Sequence, residues 1–346
     1  MRGLFINNKK AKDSIYESGL MAYQCLNLSK KYILDYVEID AGNREIKLGY
    51  DFYFFNYHHV TMNWLDTAKL KKQVGFVITM ILEVSPNDAF VLCPENDFNI
   101  YCVLDPTIMS KGNLYSFPRP LEKIDFEIPV TKNEIPVIGT FGFATKGKGF
   151  EKVVEAVNKE FQKALVRINI PFGDYVPNSK AYSAELSKIC RDLAKPGIEV
   201  MITHNFMSKD ELIKWCAGND LNCFLYDRDM PGLSATTDQA IISGRPLSVS
   251  DNPTFRHITA FLPPYPTITL KESIEKSTIF VQEMITAWSQ QNFVAKFEQI
   301  ISSSTIIQTH KNFDERILLP VYEANTMNMI KSFLKRIVKK VKRTFF

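Results

Sequence analysis

Apolar residues in this 346-residue chain recur with two alternating periods. Short, nearly continuous apolar runs of the kind found in buried parallel strands alternate with stretches whose apolar positions return every three or four residues, as on one face of a helix. The sharpest unit is residues 135–161, IPVIGTFGFATKGKGFEKVVEAVNKEF. Residues 135–141 read as a buried strand, 142–149 as a glycine- and lysine-bearing loop, and Phe150, Val153, Val154, Val157 and Phe161 as the apolar stripe of a helix. Earlier in the chain the pattern predicts strands over 2–7, 32–40, 52–60, 75–84, 89–93 and 100–104, with a helix over 11–31. Later it predicts strands over 164–170, 197–203, 220–227 and 247–251, separated by helices over 181–193, 210–217 and 233–243. The helix over 181–193 should bury Leu186, Ile189, Cys190 and Leu193. Strand alternating with helix implies an α/β protein whose parallel sheets are covered on both faces.

A chain of this length divides into two domains of roughly 150 residues each. The extended Ser-Phe-Pro-Arg-Pro stretch within 115–121 and the charged, proline-punctuated 122–134 read as the linker. The expected organisation is a first domain over 1–130, a second over 131–304, a mixed crossover segment over 305–327 read as a helix, and a basic amphipathic helix over 328–346.

Hydrophobic residues make up 45% of the chain and charged residues 23%, the balance of a soluble globular protein. No apolar run reaches the roughly 20 residues that span a bilayer, and the opening MRGLFINNKK lacks the apolar stretch of a signal peptide, so a cytoplasmic location is expected. The six cysteines stand singly in apolar segments, without metal-ligand spacing, and are expected to be buried free thiols. The net charge of +4 is uneven: residues 328–346 hold seven basic and no acidic side chains, and removing those seven charges leaves the rest of the chain at −3. A mildly acidic body excludes the dispersed basic surface of a nucleic-acid binder.

Three places carry candidate chemistry. The loop at 142–149 sets Gly142, Lys146 and Lys148 beside a helix start, where unpaired N–H groups and ammonium charges favour a phosphate. Its spacing matches neither a P-loop nor a dinucleotide fingerprint, and an ordinary βα turn with solvated lysines is the competing reading. A second helix start follows Gly232 and Leu233, with Ser234 as cap or ligand, and the preceding strand ends on Asp227. Two such ends at one sheet edge suit a diphosphate, against the alternative of two independent caps. In the first half, Asn56, His58, His59, Thr61 and Trp64 cluster after a strand, where parallel sheets gather ligands. A histidine there can move a proton near neutral pH and Trp64 can offer a face to a sugar ring. The alternative is one histidine buried and one solvated.

With these residues in view, the chain resembles a glycosyltransferase of the two-Rossmann-domain, GT-B kind. The similarity lies in GTFGFATKGKGFEKVVEAV and in FLYDRDMPGLSATTDQAIISGRPLSVSDNPTFRHI, and more narrowly in PGIEVMITHNF, TFRHI, NYHHVTMNWL and FPRPL, which resemble a bacterial subgroup of that family. The resemblance covers nearly all of 135–258 and is patchy before it. It implies two Rossmann-like domains across a cleft, with a nucleotide-diphosphate sugar on the second and an acceptor on the first. Gly142, Lys146, Lys148, Asn205, Asp227, Gly232, Leu233, Ser234 and Asp238 would be donor-binding, Asn56, Thr61 and Trp64 acceptor-binding, and His58 or His59 catalytic. It implies neither metal nor covalent cofactor. The chain departs from the family in lacking two glutamates eight positions apart near the Gly-Leu-Ser segment, where it offers Asp227, Asp229 and Asp238. It also has Thr140 and Phe141 where an arginine is common.

In the tail, Ile330, Phe333, Leu334, Ile337, Val338 and Val341 form one stripe, with Lys331, Lys335, Arg336, Lys339, Lys340, Lys342 and Arg343 around it. A basic amphipathic helix reads as an anchor to anionic lipid, and each basic residue near such a surface contributes on the order of 1 kcal/mol. The expected protein is a metal-independent glycosyltransferase of polysaccharide biosynthesis, peripheral on the inner face of the plasma membrane, acting on a glycan or lipid-linked acceptor. The alternatives are a GT-B-like scaffold without turnover and a nucleotide-sugar epimerase.

Overall fold

A computed structural model describes residues 1–9, 14–92, 97–128, 132–173, 178–228, 232–304, 306 and 315–322. The first domain contains β1 (Arg2–Asn8), α1 (Ser14–Leu26), β2 (Ile33–Ile39), β3 (Glu45–Lys47), β4 (Phe52–Tyr57), α2 (Thr67–Val74), β5 (Val77–Ile81), α3 (Ala89–Leu92), β6 (Ile100–Val103) and β7 (Leu114–Ser116). The second contains β8 (Val137–Phe141), α4 (Phe150–Glu160), β9 (Ala164–Asn169), α5 (Ser179–Leu193), β10 (Ile198–Thr203), α6 (Lys209–Ala217), β11 (Leu221–Phe224), α7 (Thr236–Ile242) and β12 (Leu247–Val249). It is followed by α8 (Arg256–Thr259), α9 (Leu270–Ala287), α10 (Gln290–Ser303) and β13 (Arg316–Leu318).

Among the described residues the first sheet runs β2-β1-β4-β5-β6-β7 and the second β10-β9-β8-β11-β12, every pairing parallel. Both are Rossmann-like α/β sheets, as expected. Their strand order reverses beside β1 and β4 in the first sheet and beside β8 and β11 in the second, and ligand crevices form at such switch points beyond the carboxyl ends of the strands. Burial on both faces explains the unbroken apolar runs: Phe52, Tyr53, Phe54 and Phe55 of β4 are all fully buried. Phe5 of β1 is in register with Tyr36 and Phe54 on its two neighbours and stacks on both rings. In α4 the predicted stripe is the buried one. In α5 Leu186 and Cys190 are buried but Ile189 is exposed, one step off the packed face. The described cysteines, Cys25, Cys102, Cys190, Cys216 and Cys223, are free and buried; burial pushes the Cys25 thiol up to about 12.

Three segments differ from the pattern reading. Residues 89–92 form a short helix, its turn closed on Asp88, because the preceding Ser-Pro-Asn-Asp turn carries the chain off the sheet and a four-residue apolar run has no period of its own. Residues 114–116, next to the presumed linker, add β7 to the edge of the first sheet. The return to the first domain begins at α10, whose Phe293, Val294, Phe297, Ile300 and Ile301 pack into the core of β1 and β4, and it continues in 315–322, where Leu319 is buried in the core that holds Trp64 and Leu65. Beyond it, the described part of 305–327 is the strand β13, antiparallel to β3, where a helix was expected. The basic segment 328–346 lies outside the described residues. Among the described residues no helix is long and apolar enough to cross a membrane.

Polar contacts join the domains. Arg256 donates from Nε to Asp105 at 2.8 Å and from Nη2 to the Val84 carbonyl at 2.8 Å. Asp105 is 1% exposed. Arg119 Nε lies 2.7 Å from the Asp238 carboxylate, and Leu121 N donates to Trp288 O at 2.8 Å. Removing one partner of such a buried pair strands the other charge. Arg256→Ala should therefore lower unfolding stability by about 3–5 kcal/mol in urea titration, and adding Asp105→Asn should recover part of that loss.

Candidate active site

The exits of β8 and β11 build the first half of the site. After Phe141 the chain turns at Gly142, whose φ of 141° a side-chain-bearing residue rarely adopts, and runs as a loop to α4. The loop lies directly on the chain leaving β11. A Cβ at Gly147 would meet the Asp227 carbonyl oxygen at 2.3 Å, and one at Gly149 the Leu225 carbonyl oxygen at 1.9 Å. These two glycines therefore serve packing between strand exits, and the Gly142 amide is taken by the Asn169 carbonyl at 3.1 Å.

That packing carries Lys148 inward, to 7% exposure. Its Nζ donates to the Tyr226 hydroxyl at 2.7 Å and to Thr236 Oγ1 at 3.4 Å. A Cβ at Gly142 would lie 3.2 Å from it, so only glycine leaves the ammonium reachable from that side. Among the described residues no carboxylate pairs with Lys148. A buried ammonium held by neutral oxygens is an electrostatic vacancy for an anion. Tyr226 registers it: burial raises the phenol's pKa, but the Lys148 charge and its hydrogen bond outweigh that and bring it below the ordinary value.

Beside the ammonium lies a cavity of about 260 Å³, lined by Phe141, Gly142, Asn205, Phe206, Thr236 and Gln239 among others, all uncharged. Asn205 is held there by Asn169, whose side chain accepts from the Asn205 amide at 3.1 Å and from Thr203 Oγ1 at 2.7 Å, and donates to the Asn205 carbonyl at 3.1 Å. Phe206, 79% exposed, stands at the rim near Phe143.

The first domain faces this from the exits of β1, β4 and β5. His58 is buried directly after β4; its Nδ1 lies 3.3 Å from Thr61 Oγ1 and its Nε2 3.6 Å from Glu83 Oε2. Thr61 also accepts from Asn8 at the end of β1. Glu83, just past β5, has φ 59° and a half-exposed side chain, and the facing His58 imidazole lowers its carboxyl pKa. His59 is exposed on the surface; burial of part of its ring and the neighbouring His58 lower its pKa.

Of the expected donor residues, the structure brings Gly142, Lys148, Asn205 and Ser234 together around Tyr226 and the cavity. Lys146 is exposed and Asp227 points outward to Lys152. Gly232 packs against Glu83, since a Cβ there would lie 3.3 Å from the Glu83 Cα. Leu233 lines a space with Arg119, and Asp238 is engaged by Arg119; burial raises its pKa while Arg119 opposes the rise. Ser234 does not cap α7: its amide goes to the Thr254 carbonyl, and the cap position is Ala235 with no side-chain bond.

On the acceptor side, Thr61 stays in the cluster, whereas Asn56 turns inward to donate to Asn7 Oδ1 and the Ile15 carbonyl. Trp64 is a core residue, so it offers no open face. The membrane candidates Lys331, Phe333, Lys335, Arg336, Ile337, Lys339 and Lys340 lie outside the described residues. Among the described residues, no cluster of His, Cys, Asp or Glu could hold a metal ion. Sequence reasoning passed over Glu83, Tyr226 and Arg119. Glu83 ends an apolar strand with an acid, the same signal that drew attention to Asp227.

Comparison with solved structures places this architecture. The chain is similar to Anabaena HepE in complex with UDP (TM-score 0.58, 10% identity, 88% of this chain and 100% of that one). It is likewise similar to the E. coli trehalose-6-phosphate structure bound with UDP-2-fluoro glucose (TM-score 0.61, 9% identity, 88% and 100%) and to a glycosyltransferase from Rickettsia africae (TM-score 0.58, 10% identity, 88% and 99%). No family model and no curated protein sequence matches it. The fold is the GT-B fold of glycosyltransferases.

Replacing Lys148 by Met removes the charge that lowers the Tyr226 phenol while leaving its burial. The Tyr226 titration, isolated by subtracting a Tyr226→Phe control in absorbance at 295 nm, should then move to higher pH than in the wild type. An unmoved titration would mean that the ammonium does not face this phenol in solution.

Proposed function

We propose that the protein is a glycosyltransferase that takes its sugar from a nucleotide diphosphate. The observation that carries this is the Lys148 ammonium, buried without a carboxylate among the described residues, beside an uncharged cavity at the β8/β11 switch point. A diphosphate supplies the missing charge there, and the cavity accepts the nucleoside between neutral amides and the Phe206 ring. The neighbours solved with UDP share the fold and lend this reading support.

In the reaction, the developing charge on the leaving diphosphate falls beside a cation already fixed in a dry site, which lowers the barrier without reorganisation. The reading assigns that counter-charge to Lys148 rather than to a divalent ion. Apposition of the two domains keeps bulk water from the activated sugar. The acceptor is a glycan or lipid-linked chain at the cytoplasmic membrane face, and support for that part is the basic, amphipathic sequence of 328–346. An alternative, a nucleotide-binding scaffold without turnover, draws on the engagement of Asp238 by Arg119.

With EDTA present, UDP or GDP at a hundredfold excess over its Kd should stabilise the protein by about 2.7 kcal/mol, read as a rise in Tm. Lys148→Ala should remove most of that rise. No shift with either nucleotide would end the proposal, and a shift unchanged in Lys148→Ala would remove Lys148 from it.

A further inference from the structure

We propose that Glu83 is the base that receives the acceptor's proton, with His58 the positioning residue behind it; the assignment rests on the nucleotide-sugar reading above. Access decides between them. His58 is enclosed: its Nδ1 lies 3.3 Å from Thr61 Oγ1, which accepts from the Asn8 side-chain amide at 2.5 Å, and its Nε2 lies 3.6 Å from Glu83 Oε2. The group left open to the cleft is the carboxylate: the Glu83 side chain is 58% exposed, that of His58 6%.

Two further features fit a placed carboxylate. Glu83 holds a left-handed backbone, φ 59°, a conformation that a residue with a Cβ seldom adopts. The second domain also reaches it: Gly232 sits close enough that a Cβ would lie 3.3 Å from the Glu83 Cα. Three residues on, Ala235 lines both the small space beside Glu83 and the cavity beside Gly142, and the next residue, Thr236, touches the Lys148 ammonium. One short loop thus spans from carboxylate to cation.

In the step, the acceptor hydroxyl oxygen forms a bond to the anomeric carbon. The bond from that carbon to the diphosphate oxygen breaks, its electron pair leaving on the diphosphate beside Lys148. The hydroxyl proton passes to Glu83, which becomes a neutral carboxylic acid. Water as acceptor gives the same balance, with free sugar as product.

The test uses the full chain, with UDP-glucose, UDP-N-acetylglucosamine and GDP-mannose as donors and water as acceptor. Glu83→Gln should lower hydrolysis about 100-fold or more while keeping the UDP-induced rise in Tm. His58→Ala, which removes the imidazole that lowers the Glu83 pKa, should move the acidic limb of kcat/KM to higher pH. His58→Gln, able to donate from Nε2, should move it back. A Glu83→Gln variant with wild-type turnover overturns the assignment, as does an acidic limb that His58→Ala leaves in place. Absence of turnover with all three donors, with the UDP shift intact, overturns the base and leaves the nucleotide site standing.

Discussion

An ammonium that has left water without meeting a carboxylate among the described residues is the constraint around which the second domain is arranged. Desolvating Lys148 costs several kcal/mol, and two hydroxyls return only part of it. The arrangement persists because the exits of two strands, β8 and β11, converge on it. Gly147 and Gly149 let the loop from β8 lie on the chain leaving β11, and that chain presents Tyr226. The turn into α7 then brings Thr236. Had the same lysine reached Asp227, the pair would have been self-sufficient; Asp227 instead faces outward to Lys152. Electrostatic vacancy and conformational support therefore come from the same backbone packing, so the affinity of this site for an anion is inseparable from the fold of the loop.

The first domain solves a different problem. Its polar cluster is satisfied from within: Asn56 is fixed by Asn7 and the Ile15 carbonyl, a contact possible because Gly19 has no side chain, for a Cβ there would lie 2.2 Å from the Asn56 amide nitrogen. The Asn8 amide donates to Thr61, and Thr61 lies against His58. The domain thus offers a fixed polar string with Glu83 at its open end, facing the domain that offers charge.

Much of the architecture was legible in the chain, for a physical reason. Parallel strands buried on both faces are continuous apolar runs, and α4 shows its period because only one face is buried. The candidate site was legible only where a residue's role is set by its neighbours in sequence, as for Gly142 and Lys148. Asn56, Trp64, Gly232 and Asp238 were misplaced because each takes its orientation from a partner far along the chain: Gly19 and Asn7, the core beneath β13, Glu83, and Arg119. Glu83 was passed over because an acid after a strand is common, and its significance lies in a backbone angle and in a glycine 149 positions later. The segments at 89–92 and 316–318 were assigned the wrong element because each is too short to carry a period.

The interface between the domains extends this logic. Two ion pairs mark it, Arg256 on Asp105 and Arg119 on Asp238, and between them lies His257, stacked on Trp288. Burial, then the two guanidinium groups, hold the His257 pKa well below its ordinary value, so the ring sits there neutral and adds no third positive charge to the seam. Apolar contacts change little in area with a small shift, whereas the attraction of a buried ion pair falls with each added fraction of an ångström. The two pairs therefore hold the facing strand exits in register, and with them the Glu83 carboxylate and the Lys148 ammonium that a transfer between the two domains depends on.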